Sequence, residues 1–277
     1  MRIWVNDRLV DEANATVSVL DHGLTVGDGV FETVKVLGAT PFALTRHLRR
    51  LGGSAIGLGL PAPADAVVRS AIAAVLDANE YGELGRLRIT YTGGVGPLGS
   101  ERGRTGPTLV VAVVSMDPAP AVTSVVTVPW PRNEHSALAG LKTTSYAENV
   151  IALARARSAG ATEALFANTA GELCEATGSN VFLVLDGRVV TPPLASGCLA
   201  GVTRDLLIEW SDAVELTVPM SALADASEVF VTSTTRDVQG VAAVDGRALL
   251  ADPDKPGPAT GQLREMFLAR ARDQLDP

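Results

Sequence analysis

The chain has 277 residues, 47% of them hydrophobic, which is enough for one large or two modest cores, and two domains are expected. A formal charge of -8 and a pI near 5.0 leave no basic footprint for nucleic acid and no polybasic face for an anionic membrane, so a small soluble substrate is expected rather than a polymer. Two cysteines (Cys174, Cys198) without a C-x-x-C and three scattered histidines (His22, His47, His135) give neither a disulfide framework nor a zinc site; with no apolar run of ~18 residues, a reducing cytoplasm is the expected location.

Short strands joined by turns are expected over residues 1–40: Ile3 to Val5, a turn at Asn6-Asp7, Leu9-Val10, Val17 to Leu20, and Val30 to Val36 after Gly-Asp-Gly at 27–29. In the last of these Phe31, Thr33 and Lys35 share one face and Glu32, Val34 and Val36 the other, so one face must be polar enough to meet solvent or a site. Leu44, Leu48 and Leu51 form a helical stripe over 44–58, and a second helix is predicted from Pro63 to Asn79, with Pro63 in its first turn. Residues 84–92 alternate Arg86, Arg88 and Thr90 against Leu87, Ile89 and Tyr91. A glycine-rich loop over 93–106 and an apolar strand over 108–116 follow.

Asp117-Pro-Ala-Pro-Ala121 reads as a linker, dividing the chain into domains at 1–116 and 122–277. The second part opens with a strand over 122–128 and passes a loop to Lys142, then a helix from about Ser145 to Ala159 that Gly160 ends. Strands at 163–168, 180–185 and 188–190, a helix from Thr203 to about Trp210, strands near 214–218 and 228–232, and a tail helix over 262–274 complete the pattern.

Lys142 stands among small and hydroxylic neighbours (Gly140, Thr143, Thr144, Ser145), and 33 residues later Glu175 precedes a loop that feeds an apolar strand. A lone lysine is usually a solvated charge and a lone glutamate a surface carboxylate. Together they suit an aldehyde cofactor, which needs an amine to hold it and an acid to keep its ring nitrogen protonated. Gly201-Val202-Thr203-Arg204 opens a helical run whose free N–H groups and dipole suit an anion, and Ser233, Thr234 and Thr235 end a strand as possible hydroxyl donors.

Six ordered motifs carry a family resemblance over nearly the whole chain: GDGVFE (27–32), HLRRL (47–51), LKTTSYAENV (141–150), EATGSNVFLV (175–184), GVTRD (201–205) and FVTSTT (230–235). The sequence resembles the class IV, fold type IV pyridoxal-phosphate enzymes, which include branched-chain and D-amino acid aminotransferases, (R)-selective amine transaminases and aminodeoxychorismate lyases. The resemblance implies an α/β (α+β) fold, with a smaller N-terminal α/β domain and a larger C-terminal pseudo-barrel domain, the cofactor between them, and a homodimer whose partner subunit closes each pocket. It implies that Lys142 forms the Schiff base and shuttles the substrate proton, that Glu175 partners the pyridine nitrogen, and that Arg50 binds the phosphate. It further implies cofactor contacts from Asn180, Val202, Thr203, Ser233 and Thr234. Tyr146 matches the family tyrosine on the cofactor's ring oxygen, displaced by one position.

Phe31, Thr33 and Lys35 resemble the pocket-facing strand of the D-amino acid enzymes, and FVTSTT resembles the same group. The R-x-H clamp of those enzymes is absent, its place taken by Gly93-Gly-Val-Gly-Pro-Leu-Gly-Ser-Glu-Arg-Gly-Arg104. Arg88 is the expected substrate-carboxylate anchor through a bidentate pair, with Arg102 and Arg104 as other anchors on a loop able to close. The expected activity is amino transfer from an amino acid or amine to a 2-keto acid, with the D-amino acid or (R)-amine type favoured. The alternative is 4-amino-4-deoxychorismate lyase activity, giving 4-aminobenzoate and pyruvate for folate synthesis. A third reading, a cofactor-storage module, has no need of an electron sink.

Overall fold

The computed structural model describes residues 1–277, which divide into two compact units. The first contains Met1–Asp117, Leu141–Tyr146 and Leu275–Pro277, and the second Pro118–Gly140 and Ala147–Gln274. The division falls at the edge of the proline-rich segment, but the lysine-bearing segment 141–146 and the last three residues join the first unit, not the second as the sequence suggested. Backbone pairing explains both. Thr143 bridges Val30, the Lys142 carbonyl accepts from Phe31 N–H (3.0 Å), and Thr144 N–H donates to the Gly29 carbonyl (2.8 Å). Asp276 accepts from Thr45 N–H (2.8 Å) and Thr45 Oγ1 (2.6 Å), capping a helix that has no cap of its own.

The first unit runs β1 (Arg2–Val5), β2 (Arg8–Asp11), α1 (His22–Thr25), β3 (Gly29–Leu37), β4 (Thr40–Pro41), α2 (Leu44–Gly57), α3 (Asp65–Asp77), β5 (Leu84–Thr92) and β6 (Thr108–Ser115). Its six strands form an antiparallel sheet in the order β2-β1-β6-β5-β3-β4. Val34, Val36, Leu87, Ile89, Val111 and Val113 supply one apolar face, and Leu48, Leu51 and Ala55 of α2 with Val68, Ile72 and Val75 of α3 cover it. Two expectations fail here. Val17 to Leu20 form no strand, and Val17 and Val19 are exposed. Pro63 lies before α3, whose cap is Ala64.

The second unit runs β7 (Val122–Thr127), α4 (Ala147–Ser158), β8 (Glu163–Ala167), β9 (Leu173–Ala176), β10 (Asn180–Leu185), β11 (Arg188–Thr191), α5 (Val202–Trp210), β12 (Val214–Glu215), β13 (Glu228–Ser233), β14 (Asp237–Val244), β15 (Arg247–Ala248) and α6 (Pro258–Asp273). Its strand order is β12-β11-β10-β13-β14-β7-β8-β9, with β15 on β14. In a flat sheet β9 and β10 would be five strand spacings apart, about 24 Å. Residues 177–179 alone connect them, and so short a link reaches at most about 14 Å, so the sheet must curl back on itself. β9 and β14 are absent from the sequence reading. β14 carries the weak strand formers Gly240, Ala242 and Ala243, and Gly240 lies where the backbone meets Pro256: a Cβ there would come within 3.1 Å of that ring.

Candidate active site

In the first unit, the polar face of β3 and β5 gathers several of the expected residues. Phe31 and Arg88 are on that face, and the Arg88 guanidinium stacks on the Phe31 ring at 3.4 Å. Lys142 Nζ approaches the same ring at 4.5 Å, and Tyr146 meets it edge-on at 5.4 Å between centroids. Lys142 is fixed by its backbone, which pairs with β3 and donates its N–H to Ser54 Oγ on α2 (3.1 Å). Thr33 is half-buried beside Arg88, and Lys35 is buried further along β3.

Arg88 has no carboxylate partner. Its polar contacts are the hydroxyls of Thr33 and Thr90, both at 3.4 Å and long for hydrogen bonds. The side chain is accessible, but enough protein surrounds it that desolvation pulls its pKa down to about 10, against the opposing influence of Tyr146 and Glu32. Arg102 is committed elsewhere: it forms a two-pronged pair with Asp28 (2.6 and 2.8 Å) and donates to the carbonyls of Leu58 and Gly59. It pins the 93–106 loop to the end of α2 and is not an open anchor.

On the helix side of β3, Arg50 donates Nε and Nη2 to Glu32 at 2.7 and 2.8 Å, and His47 Nδ1 lies 2.7 Å from the same carboxylate. Glu32 is fully buried. Burial pushes its pKa up, but the Arg50 charge and hydrogen bonds, followed by His47, overcome this and hold the carboxyl well below the usual range. Sequence reasoning took Glu32 only as a residue of the β3 face opposite Phe31. The signal was available, since a charged residue among the apolar positions of an alternating strand requires a buried partner.

In the second unit, Glu175, Asn180 and the start of α5 share one short segment. Leu199 N–H donates to Glu175 Oε2 (2.9 Å), and the Leu199 carbonyl accepts from Asn180 Nδ2 (2.8 Å). α5 then starts at Val202 and Thr203, and its N-cap, Gly201, provides no side-chain acceptor. A Cβ on Gly201 would collide with Asn180 Oδ1, so the close approach requires glycine there. Asn180 is directly paired with Thr232 on β13. Two hydroxyls at that strand end, Thr232 Oγ1 and Ser233 Oγ, are buried without a hydrogen-bond partner, and Thr234 starts the turn that follows. Arg132, absent from the sequence reading, lies beside Glu175, with Nε 3.5 Å from Oε1.

A family model described as amino-transferase class IV matches residues 29–244, most of the chain. The chain belongs to the class IV aminotransferases. Like other class IV aminotransferases, it is a pyridoxal-phosphate enzyme, and its fold is fold type IV. A Methanocaldococcus jannaschii class IV relative, whose name assigns it provisionally as a branched-chain-amino-acid aminotransferase, is 34% identical over 278 residues, covering 96% of this chain and 95% of the relative. A D-alanine aminotransferase of Listeria innocua is 28% identical over 299 residues, covering 100% of this chain and 99% of its own. A solved structure from Legionella pneumophila, provisionally a 4-amino-4-deoxychorismate lyase, superposes with a TM-score of 0.85 at 25% identity, over 94% of this chain and 96% of that one.

Taken unit by unit, the residues of this class IV chain suit parts of a phosphorylated pyridine: the second unit its phosphate and ring nitrogen, the first an amine for its aldehyde. The uncapped first turn of α5 offers backbone N–H groups to an anion, and the orphaned hydroxyls of Thr232 and Ser233 need an acceptor. Glu175 offers a carboxylate oriented by Leu199, and Lys142 offers an amine at an aromatic ring.

Proposed function

We propose that the chain is an aminotransferase of the D-amino acid or (R)-amine type, moving an amino group between an amino acid or amine and a 2-keto acid. The observation that carries this reading is Arg88. An accessible guanidinium without a carboxylate partner, stacked on the ring that Lys142 Nζ also approaches, suits a substrate that presents an amine to the lysine and a carboxylate to the arginine. The D-type preference is supported by the GDGVFE and FVTSTT runs and by the likeness to the Listeria enzyme.

Pyridoxal phosphate, when bound, supplies an aldehyde that takes up amino groups and a ring that withdraws electrons. Lys142 would tether the aldehyde and, once displaced by the donor amine, take the proton from the substrate's α-carbon at Nζ and return it to the cofactor's side. Glu175 would keep the ring nitrogen protonated through a charge-assisted hydrogen bond. Arg50, Val202, Thr203, Ser233 and Thr234 would hold the phosphate, with Asn180 fixing the loop before α5. Tyr146 would face the ring oxygen. Phe31, Thr33 and Lys35 would shape the pocket and Arg88 would orient the carboxylate.

The same reading makes the enzyme a cytoplasmic homodimer. Support for the dimer comes from apolar side chains left in solvent on two joined segments: Val19, Leu24 and Leu98 are 76%, 66% and 82% exposed. His22 N–H donates to the Gly94 carbonyl (2.8 Å) and holds those segments together.

A second reading, 4-amino-4-deoxychorismate lyase activity, draws support from the likeness to the Legionella structure. Half-reactions separate the two. The protein loaded with pyridoxal phosphate should show the absorbance of the lysine-bound cofactor, which Lys142→Ala should abolish. D-alanine or an (R)-amine should then convert it to the pyridoxamine form, and conversion by L-leucine but not by D-alanine would overturn the D-type reading. Release of 4-aminobenzoate and pyruvate without that conversion would favour the lyase.

A further inference from the structure

We propose that Arg132 is a positioning residue for Glu175, fixing its carboxylate for the ring nitrogen; this rests on the reading of Glu175 given above. The strand pairing sets the geometry. Arg132 follows β7, donates its N–H to the Ala167 carbonyl (2.7 Å) and bridges Asn168, which places its side chain over the end of β8. Phe166 of β8 is directly opposite Glu175 of β9. The Arg132 guanidinium lies over the Phe166 ring at 4.3 Å, so its edge reaches the carboxylate across the strand pair.

The other donors of Arg132 are used to fix it. Nη1 pairs with Glu148 Oε2 at 2.6 Å and Nη2 donates to Asn149 Oδ1 at 2.9 Å. Asn149 in turn donates Nδ2 to the Thr177 carbonyl at 2.7 Å, tying the guanidinium to the loop between Glu175 and Asn180. The remaining nitrogen, Nε, is buried, has no hydrogen-bond partner, and faces Glu175 Oε1 at 3.5 Å. Glu175 is thus gripped on Oε2 by Leu199 N–H and steered on Oε1 by a fixed cation. The nearby thiols do not compete. Burial raises Cys174 and also Cys198, the latter to about 11, so both remain neutral.

The test is a double-mutant cycle on the affinity for pyridoxal phosphate, read by fluorescence titration of the full chain, with the bound cofactor's absorbance spectrum as a second readout. Arg132→Gln should weaken binding about tenfold and shift the spectrum in the same direction as Glu175→Gln. Arg132→Lys should recover part of the loss by restoring the charge. In a Glu175→Gln background, Arg132→Gln should change affinity by less than about twofold, because the charge it steers is gone. Equal losses in both backgrounds, or wild-type affinity and spectrum in Arg132→Gln, would overturn the inference. If Arg132→Gln does not fold, the same cycle with Arg132→Lys decides, since lysine cannot reproduce the stack and fork. Failure of the wild type to take up the cofactor would sink the reading of Glu175 itself, a result distinct from either of these.

Discussion

Exchanging Glu32 for glutamine should expose how much of the first unit rests on one buried carboxylate. Three donors converge on it at 2.7 to 2.8 Å, and no part of it meets solvent. Glutamine keeps the volume and one acceptor oxygen but turns the other into a donor facing donors. Breaking a buried pair by neutralising one partner costs about 3–5 kcal/mol, and the partial exposure of Arg50 favours the lower end, about 3 kcal/mol. For a protein of this size that lowers the melting temperature by roughly 5 °C. The pH dependence has a definite sign. Because Glu32 is held far below its unfolded pKa, its contribution is complete above about pH 4.5 and is lost as acid pushes toward the folded value. The part of the wild-type advantage that comes from Glu32 itself should therefore be complete above about pH 4.5 and shrink below that. Thermal unfolding followed by circular dichroism at several pH values tests it. Equal melting temperatures near pH 7, or a gap that widens as the pH falls below about 4.5, would refute the account.

Three further outcomes follow from the same geometry. Arg88→Gln should raise KM for carboxylate-bearing donors by about tenfold or more while leaving an (R)-amine without a carboxylate nearly unaffected, as steady-state kinetics would reveal. Gly201→Ala should force Asn180 away from the start of α5 and cost about 1–3 kcal/mol, measured by denaturant unfolding, with a weaker hold on inorganic phosphate. Leu24→Asp combined with Leu98→Asp should shift a dimer toward monomer in sedimentation velocity; if the wild type is already monomeric, the exposed apolar cluster has another role.

Much of this was legible in the sequence because alternation and stripe spacing are local properties. β5 has the expected bounds, and α2 differs from its expected range only at the last residue. Lys142 and Glu175 were proposed from their neighbours. The partners that orient them were harder to see. Arg132 lies in Trp-Pro-Arg-Asn, where nothing local distinguishes it from a surface arginine, and its significance comes from a register that sets Phe166 opposite Glu175. β14 was missed because Gly240, Ala242 and Ala243 are weak strand formers, and the glycine answers to a contact with Pro256 that the local sequence does not show. Val17 to Leu20 erred in the other direction. The strand-like composition there reflects apolar side chains left in solvent, not a sheet.

The arginines show why function is best sought where local stability is forgone. Arg50 is paired with Glu32, Arg102 with Asp28, Arg132 with Glu148, and Arg204 with Glu215 and Asp205. In each pair the cation's desolvation is offset by a carboxylate. Arg88 keeps solvent access, but the protein around it lowers its pKa to about 10, and it is offered only two distant hydroxyls and an aromatic face. Folding alone would be better served by an acid at Thr33 or Thr90, either of which already faces the guanidinium. Such an acid would also neutralise the one cation in this cluster free to receive a substrate carboxylate. Thr33→Glu should therefore stabilise the first unit while abolishing selectivity for carboxylate-bearing donors, and a variant that gained stability without losing that selectivity would mean the carboxylate is bound elsewhere.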